Sequence, residues 1–164
     1  MTRVGVSGHR HYDHEAAVAS MTDSVLRRLL DGDDTPSILS SLASGADQLV
    51  AELVLDRPGS VLHVVLPLPL DDYATDFDTV AARRRFDDLL LRASSVTVIE
   101  QVPGESRESA YARAGFAIVD ACDVLVALWD GRPARGEGGT AEVVQYAIGR
   151  NVMVEVVLVE RDAE

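Results

Sequence analysis

The sequence predicts an α/β fold of the doubly wound, Rossmann-like class, in which a mostly parallel sheet carries helices on both faces. Three observations lead to this prediction. Short apolar runs rich in β-branched residues alternate with stretches of helical period along the chain. Residues typical of ligand sites follow several of these runs directly, at the point where parallel strands would end. Neither an internal repeat nor a long linker interrupts the pattern, so residues 1–164 are predicted to form one domain.

Each strand is predicted from a short apolar run that is bounded by turn residues. The six predicted strands cover residues 4–7, 38–43, 61–66, 96–99, 124–129 and 152–159. Because a helical stretch separates each strand from the next, the strands should pair in parallel through right-handed crossovers.

Each helix is predicted from apolar residues at the i, i+3, i+4 and i+7 spacing of an amphipathic helix. The five apolar stripes fall within residues 18–29, 46–54, 82–93, 111–122 and 143–148. Gly149 follows the last stripe and is a suitable residue to end that helix.

Composition and charge limit the classes of partner. The chain has 27 acidic and 15 basic residues, for a formal net charge of −12. Because Lys and Arg supply most of the affinity for phosphate backbones, this balance predicts that nucleic acid is not a partner. The apolar runs are too short to span a bilayer, and the N-terminus lacks the pattern of a signal peptide. We therefore expect a cytoplasmic protein with no membrane partner.

A glycine-rich loop directly before the last helical stripe predicts a phosphate site. Gly136, Gly138, Gly139 and Thr140 lie where a helix begins, and a helix start has backbone N–H groups without intrahelical partners. Glycines let an anion approach these donors closely. The alternative is that Thr140 only caps the helix and that the glycines only form the turn.

The loop after the first predicted strand is a second candidate. Ser7 and Gly8 end that strand, and Arg10 could bind a phosphate through two parallel hydrogen bonds. The loop lacks the three spaced glycines of the dinucleotide fingerprint, so no nicotinamide cofactor is predicted. Its histidines lack a pattern of cysteine or carboxylate partners, so no metal site is predicted either.

Together with Ser7 and Gly8, three further residues are candidates for the ribose or base side of a ligand. Gly45 and Asp47 follow the second predicted strand, although Asp47 could equally serve the dipole of the next helix. Trp129 ends a buried run, where it could stack on a base or belong to the core.

Taken together, these motifs resemble the superfamily that joins the DNA-processing protein DprA, the YpsA-like proteins and the LOG family. "GVSGHR" is similar to its first strand and loop, "SSLASGAD" to its second, and "GEGGTAEVV" to the LOG signature of paired glycines. The resemblance implies a Rossmann-like fold that binds nucleotides, their derivatives or nucleic acid in one cleft, and a homodimer. It also implies that Gly136, Gly139 and Thr140 hold phosphate and that Arg113 lies near the catalytic arginine of the LOG phosphoribohydrolases.

The chain departs from the LOG pattern at two positions. Glu137 stands where LOG proteins have a glycine, and Val143 stands where they have the catalytic glutamate. Glu142 lies one residue earlier, which is a rotation of about 100° around a helix. We therefore predict a domain that binds a phosphorylated, nucleoside-like small molecule as sensor or carrier, without a cofactor. The alternatives are an N-glycosidic hydrolase with Glu142 and Arg113 as catalytic residues, and an interaction module with a vestigial cleft.

Overall fold

The computed structural model of the protein describes residues 1–133 and 139–161. Its strands are β1 (Arg3–Gly8), β2 (Ser37–Ser40), β3 (Val61–Leu66), β4 (Ser95–Val98), β5 (Val124–Trp129) and β6 (Met153–Leu158). Its helices are α1 (Glu15–Leu30), α2 (Ala46–Leu55), α3 (Leu70–Tyr73), α4 (Val80–Leu91), α5 (Arg107–Ala121) and α6 (Thr140–Gly149). A short 3₁₀ turn at Ala74–Asp76 continues α3.

The described strands form one parallel sheet in the order β4-β3-β2-β1-β5-β6, which confirms the predicted fold class. The chain builds the sheet outward from β1 to β4, and then returns to place β5 on the other side of β1. The direction of winding therefore changes between β1 and β5. In open α/β sheets the ligand crevice lies at such a switch point, outside the carboxyl ends of the strands.

The sheet is covered on both faces. One apolar cluster joins the sheet to α1, α2 and α4, and the other joins it to α5 and α6. Along β5, Val124, Val126 and Leu128 belong to the first cluster, whereas Leu125 and Ala127 belong to the second. Two buried faces explain why this strand is apolar at every position, as is typical of parallel sheets.

Two elements differ from the sequence-based expectation. The second strand ends at Ser40, three residues early, because Leu42 adopts a left-handed conformation with φ of 58°. The segment after β3 contains the short helix α3. This helix is too short to show a helical period in the sequence, so it was not predicted. No helix in the described ranges is both long enough and apolar enough to cross a membrane.

Candidate functional site

A cleft of about 670 Å³ lies at the carboxyl ends of β1 and β5, at the switch point of the sheet. The loops after β1, β2, β3 and β5 form its wall together with one side of α5 and the start of α6. Its basic lining residues are His9, Arg10, His11, Arg132 and Arg161, and its aromatic ones are Tyr73, Tyr111 and Trp129. The cleft thus combines cations with flat apolar surfaces.

Close backbone contact joins the loops after β1 and β2. The Ala46 N–H donates to the His9 carbonyl at 3.2 Å. Gly45 has a φ of +78°, and a Cβ there would lie 2.4 Å from the Arg10 carbonyl oxygen. At Gly8, a Cβ would lie 2.3 Å from that of Ala46. Only glycine fits at these two positions, and their contact brings Arg10 and Asp47 to the same cleft.

The Arg10 side chain lies over the Tyr111 ring, with its guanidinium carbon 5.3 Å from the ring centroid. This distance is within the range of a cation–π contact. The Tyr111 hydroxyl donates to Asp76, which also accepts from Arg107 at 2.6 Å. Within the described part of the chain, the Arg10 guanidinium has neither a hydrogen bond nor a carboxylate within 4 Å. The Tyr111 ring is therefore held in place by Asp76, whereas the guanidinium of Arg10 is not neutralised by any described carboxylate.

Asp47 lies in the first turn of α2 and lines the cleft, although it is only 9% exposed. One of its carboxylate oxygens accepts from the Ala43 N–H at 3.3 Å. Burial raises the pKa of Asp47 to about 7, against the opposing effects of the Ala43 N–H and the positive charge of Arg10. The Ala43 N–H and Arg10 therefore offset only part of the desolvation cost of this carboxylate.

Hydrogen bonds order the beginning of the loop after β5. The Asp130 N–H donates to His9 Nε2 at 3.1 Å, and the Arg132 N–H donates to the Asp130 carboxylate at 3.0 Å. Burial raises the pKa of Asp130, but the Arg132 N–H and His9 outweigh it, so that the net pKa is lowered. Trp129 Nε1 donates to the Arg132 carbonyl at 2.9 Å. These bonds place Trp129 and Arg132 on one wall of the cleft.

Most residues predicted from the sequence lie together in this cleft. Those that line it are Ser7, Gly8, Arg10, Asp47, Trp129, Gly139 and Thr140. Gly45 lies behind the lining, in the contact between the two loops. Gly136 and Gly138 lie outside the described residues. Thr140 is the first residue of α6, whose cap position is Gly139, so Thr140 is not the N-cap that the alternative interpretation required.

The structure does not bring Arg113 and Glu142 to the cleft. Arg113 binds Glu105 through two hydrogen bonds of 2.7 and 2.8 Å, and it also donates to the Glu100 carbonyl. On α6 it is Val143 that lines the cleft, and Glu142 is not among the lining residues. The rotation of about 100° between consecutive helix positions explains the difference.

Several lining residues were not among the sequence-based candidates. Tyr111 was assigned to an apolar stripe, and its tyrosine hydroxyl was the only signal that it also borders a polar site. Arg132 follows β5 and could have been selected by its position after a strand. Arg161 lies beyond β6, and no local signal connects it to the cleft. In the described ranges, no group of three or more His, Cys, Asp or Glu residues is arranged to hold a metal ion.

Comparison with known proteins supports the fold. No protein-family model and no curated protein sequence matches the chain. Among solved structures, DNA processing protein A from Helicobacter pylori, described for its single-stranded DNA binding mode, matches with a TM-score of 0.67 at 15% identity. The match covers 98% of this chain and 68% of that one. The chain therefore shares its Rossmann-like fold with DprA, whereas no match supports the LOG signature.

This comparison corrects two predictions. A small-molecule nucleotide ligand, with LOG-type hydrolysis as the alternative, was predicted, and nucleic acid was excluded. The small-molecule ligand and the exclusion of nucleic acid are both wrong, because a solved protein with this fold is described for binding single-stranded DNA. The physical error was to apply the net charge of the whole chain to one cleft. Arg10, Arg132 and Arg161 line that cleft, against Asp47 and Glu108 as its acidic residues.

Proposed function

We propose that the cleft binds single-stranded DNA, with arginines on the phosphates and an aromatic side chain against a base. The observation that carries this proposal is how the arginines are paired. Nine arginines outside the cleft each have a carboxylate oxygen within 4.0 Å. Among the described residues, five arginines have no such partner: Arg84 and Arg92 lie outside the cleft, whereas Arg10, Arg132 and Arg161 all line it. An acidic protein that leaves these three cations unpaired in one cleft offers them to an external anion.

The aromatic lining supports a nucleic-acid ligand over a free anion. Tyr111 and Trp129 line the same cleft as the arginines, and both are held by hydrogen bonds of their polar atoms. Stacking of a base on an aromatic ring is worth about 1–3 kcal/mol and tolerates any base. The start of α6, with Gly139 and Thr140 at the cleft, supplies a further proposed phosphate contact. Gly136 and Gly138 belong to the same proposed loop by sequence.

The test is a titration of fluorescently labelled oligo-dT, followed by anisotropy at several salt concentrations. Arg10→Ala should weaken binding about tenfold, as expected for a lost charge-assisted contact. It should also reduce the slope of log K against log salt by about 0.7, the value for one phosphate on a single strand.

The matched control is Arg150→Ala. Arg150 also lies over a tyrosine, Tyr146, but it pairs with Asp120 at 3.1 Å and does not line the cleft. We expect this variant to bind like the wild type. Absence of oligonucleotide binding at low salt, or equal losses in both variants, would contradict the proposal. The homodimer stays a separate prediction, which light scattering of the purified protein tests.

A further inference from the structure

Asp47 has a buried carboxylate whose hydrogen-bonding capacity is largely unused. Its exposed fraction is 9%, and acidic side chains are rarely so buried unless they are paired. In the described part of the chain it accepts one hydrogen bond, from the Ala43 N–H, and no arginine lies within 4 Å of it. A carboxylate offers about four lone-pair sites, so most of those on this cleft-lining residue have no donor in the described ranges.

A purely structural role accounts poorly for this arrangement. As a residue of the first turn of α2, Asp47 complements the helix dipole, but an exposed carboxylate would do the same at a lower desolvation cost. The Ala43 contact, at 3.3 Å, is longer than a typical N–H···O bond and uses one oxygen. Burial in a ligand cleft with free acceptors is typical of a residue that awaits donors from a ligand.

We infer that Asp47 selects the base that enters the cleft and favours guanine, an inference that rests on the proposed binding of single-stranded DNA. Guanine presents two adjacent donors, N1–H and the N2 amino group, which can meet the two oxygens of one carboxylate. Adenine and cytosine present a single amino group on that edge, and thymine presents one N–H between two carbonyl oxygens. The carboxylate repels phosphate, so the strand backbone lies on the side of Arg10.

The charges around Asp47 are compatible with this role. Arg10 acts on it from the loop after β1, and buried Tyr73 lies beside it on α3. The pKa of Asp47, raised to about 7 by burial, leaves the carboxylate ionised and able to accept two donors at pH 8. Donors from a base would replace the hydration that the carboxylate loses on folding.

The experiment compares nine-nucleotide oligo-dT probes that carry one central G, inosine, A or T, at pH 8. Wild-type protein should bind the G probe at least about fivefold more tightly than the T and A probes, the lower bound for a bidentate base contact. Inosine lacks only the N2 amino group and should lose most of that preference. This comparison requires no variant, so it stays decisive if a variant fails to fold.

Asp47→Asn should remove the preference for G while still binding the T probe. A merely structural role would instead weaken all four probes equally. Glu108→Gln is the matched control, since Glu108 also lines the cleft and the change removes the same charge. It should keep the preference for G. Equal binding of the four probes by the wild type would overturn the inference and leave the proposed function intact, whereas no binding of any probe would overturn both.

Discussion

Two arginine–tyrosine–aspartate arrangements occur in this molecule, and they differ in how their charges are paired. Arg150 lies over Tyr146 and Arg10 lies over Tyr111, at 5.6 and 5.3 Å from the ring centroids. In both cases an aspartate accepts from the tyrosine hydroxyl. Arg150, however, also binds that aspartate, whereas Arg10 binds no carboxylate among the described residues. The first arrangement is therefore electrically complete, and the second has an unused positive charge.

This difference shows why the net charge of the chain is a poor guide to the charge of the cleft. Outside the cleft, acidic residues pair with most of the described arginines, as Asp87 does with Arg83 and Glu52 with Arg85. Among the described residues that line the cleft, only Asp47 and Glu108 are acidic. A ligand that enters the cleft meets the local charges at a distance shorter than the Debye length, and the net charge of the chain contributes little there.

The largest expected effect concerns two carboxylates, Asp47 and Asp120. Asp47 has no arginine partner among the described residues, whereas Asp120 accepts hydrogen bonds from Arg150 and Tyr146. The pKa of Asp47 is about 7 in the folded protein, against 3.8 when unfolded, so the native state binds more protons between these values. Stability should therefore fall as pH rises from 4 to 7. Asp47→Asn removes this dependence, and its stability relative to the wild type should rise by roughly 3 kcal/mol between pH 4 and pH 7.

Denaturant unfolding at pH 4, 5.5, 7 and 8 measures this relative stability. Asp120→Asn is the control, because Asp120 accepts from Tyr146 and Arg150 on the exposed surface. Its effect on stability should be no larger than about 1 kcal/mol, as is usual for surface pairs. If the stability difference between Asp47→Asn and the wild type does not change with pH, the pKa of Asp47 is not raised on folding, and its contrast with Asp120 is lost.

The second prediction concerns the tyrosine rings of the two arrangements. Tyr111→Leu removes both the flat surface in the cleft and the ring under Arg10, and it should weaken oligo-dT binding by about 1–3 kcal/mol. Tyr111→Phe keeps the ring and should bind nearly as well as the wild type. Tyr146→Leu, made in the electrically complete arrangement, should not affect binding. Anisotropy titrations measure all three, and equal losses for Tyr111→Leu and Tyr146→Leu would remove the distinction between the two arrangements.

Much of the fold and part of the cleft could be predicted from the sequence. The fold followed from the alternation of strand and helix periods, which are local properties of the chain. Ser7, Gly8, Arg10 and Asp47 could be located because parallel strands end at one edge of the sheet, so residues directly after them meet.

The rest of the cleft depends on contacts that no local pattern encodes. Tyr111 reaches it through the packing of α5 against the sheet, and Arg161 through the return of the chain after β6. Some arginines pair with a carboxylate one helical turn away, as Arg83 does with Asp87, but others pair with a residue that is distant in sequence, as Arg150 does with Asp120. The grouping in one cleft of three arginines that are unpaired within the described ranges therefore appears only in the folded chain.

The smallest expected effect concerns Arg113, a third arginine whose charge is fully used. The Arg113 guanidinium is the main cause that lowers the pKa of Glu105, and the pair lies outside the cleft. Arg113→Ala should therefore leave oligo-dT binding unchanged and lower Tm at pH 7 by no more than a few degrees. Because the pKa of Glu105 is lowered from 4.5, the stabilisation by this pair is present above that pH. It should disappear as the pH falls through the lowered pKa of Glu105. Thermal unfolding of both proteins between pH 3 and 7 measures this, and a loss of DNA binding in Arg113→Ala would show that a paired arginine can also serve the ligand.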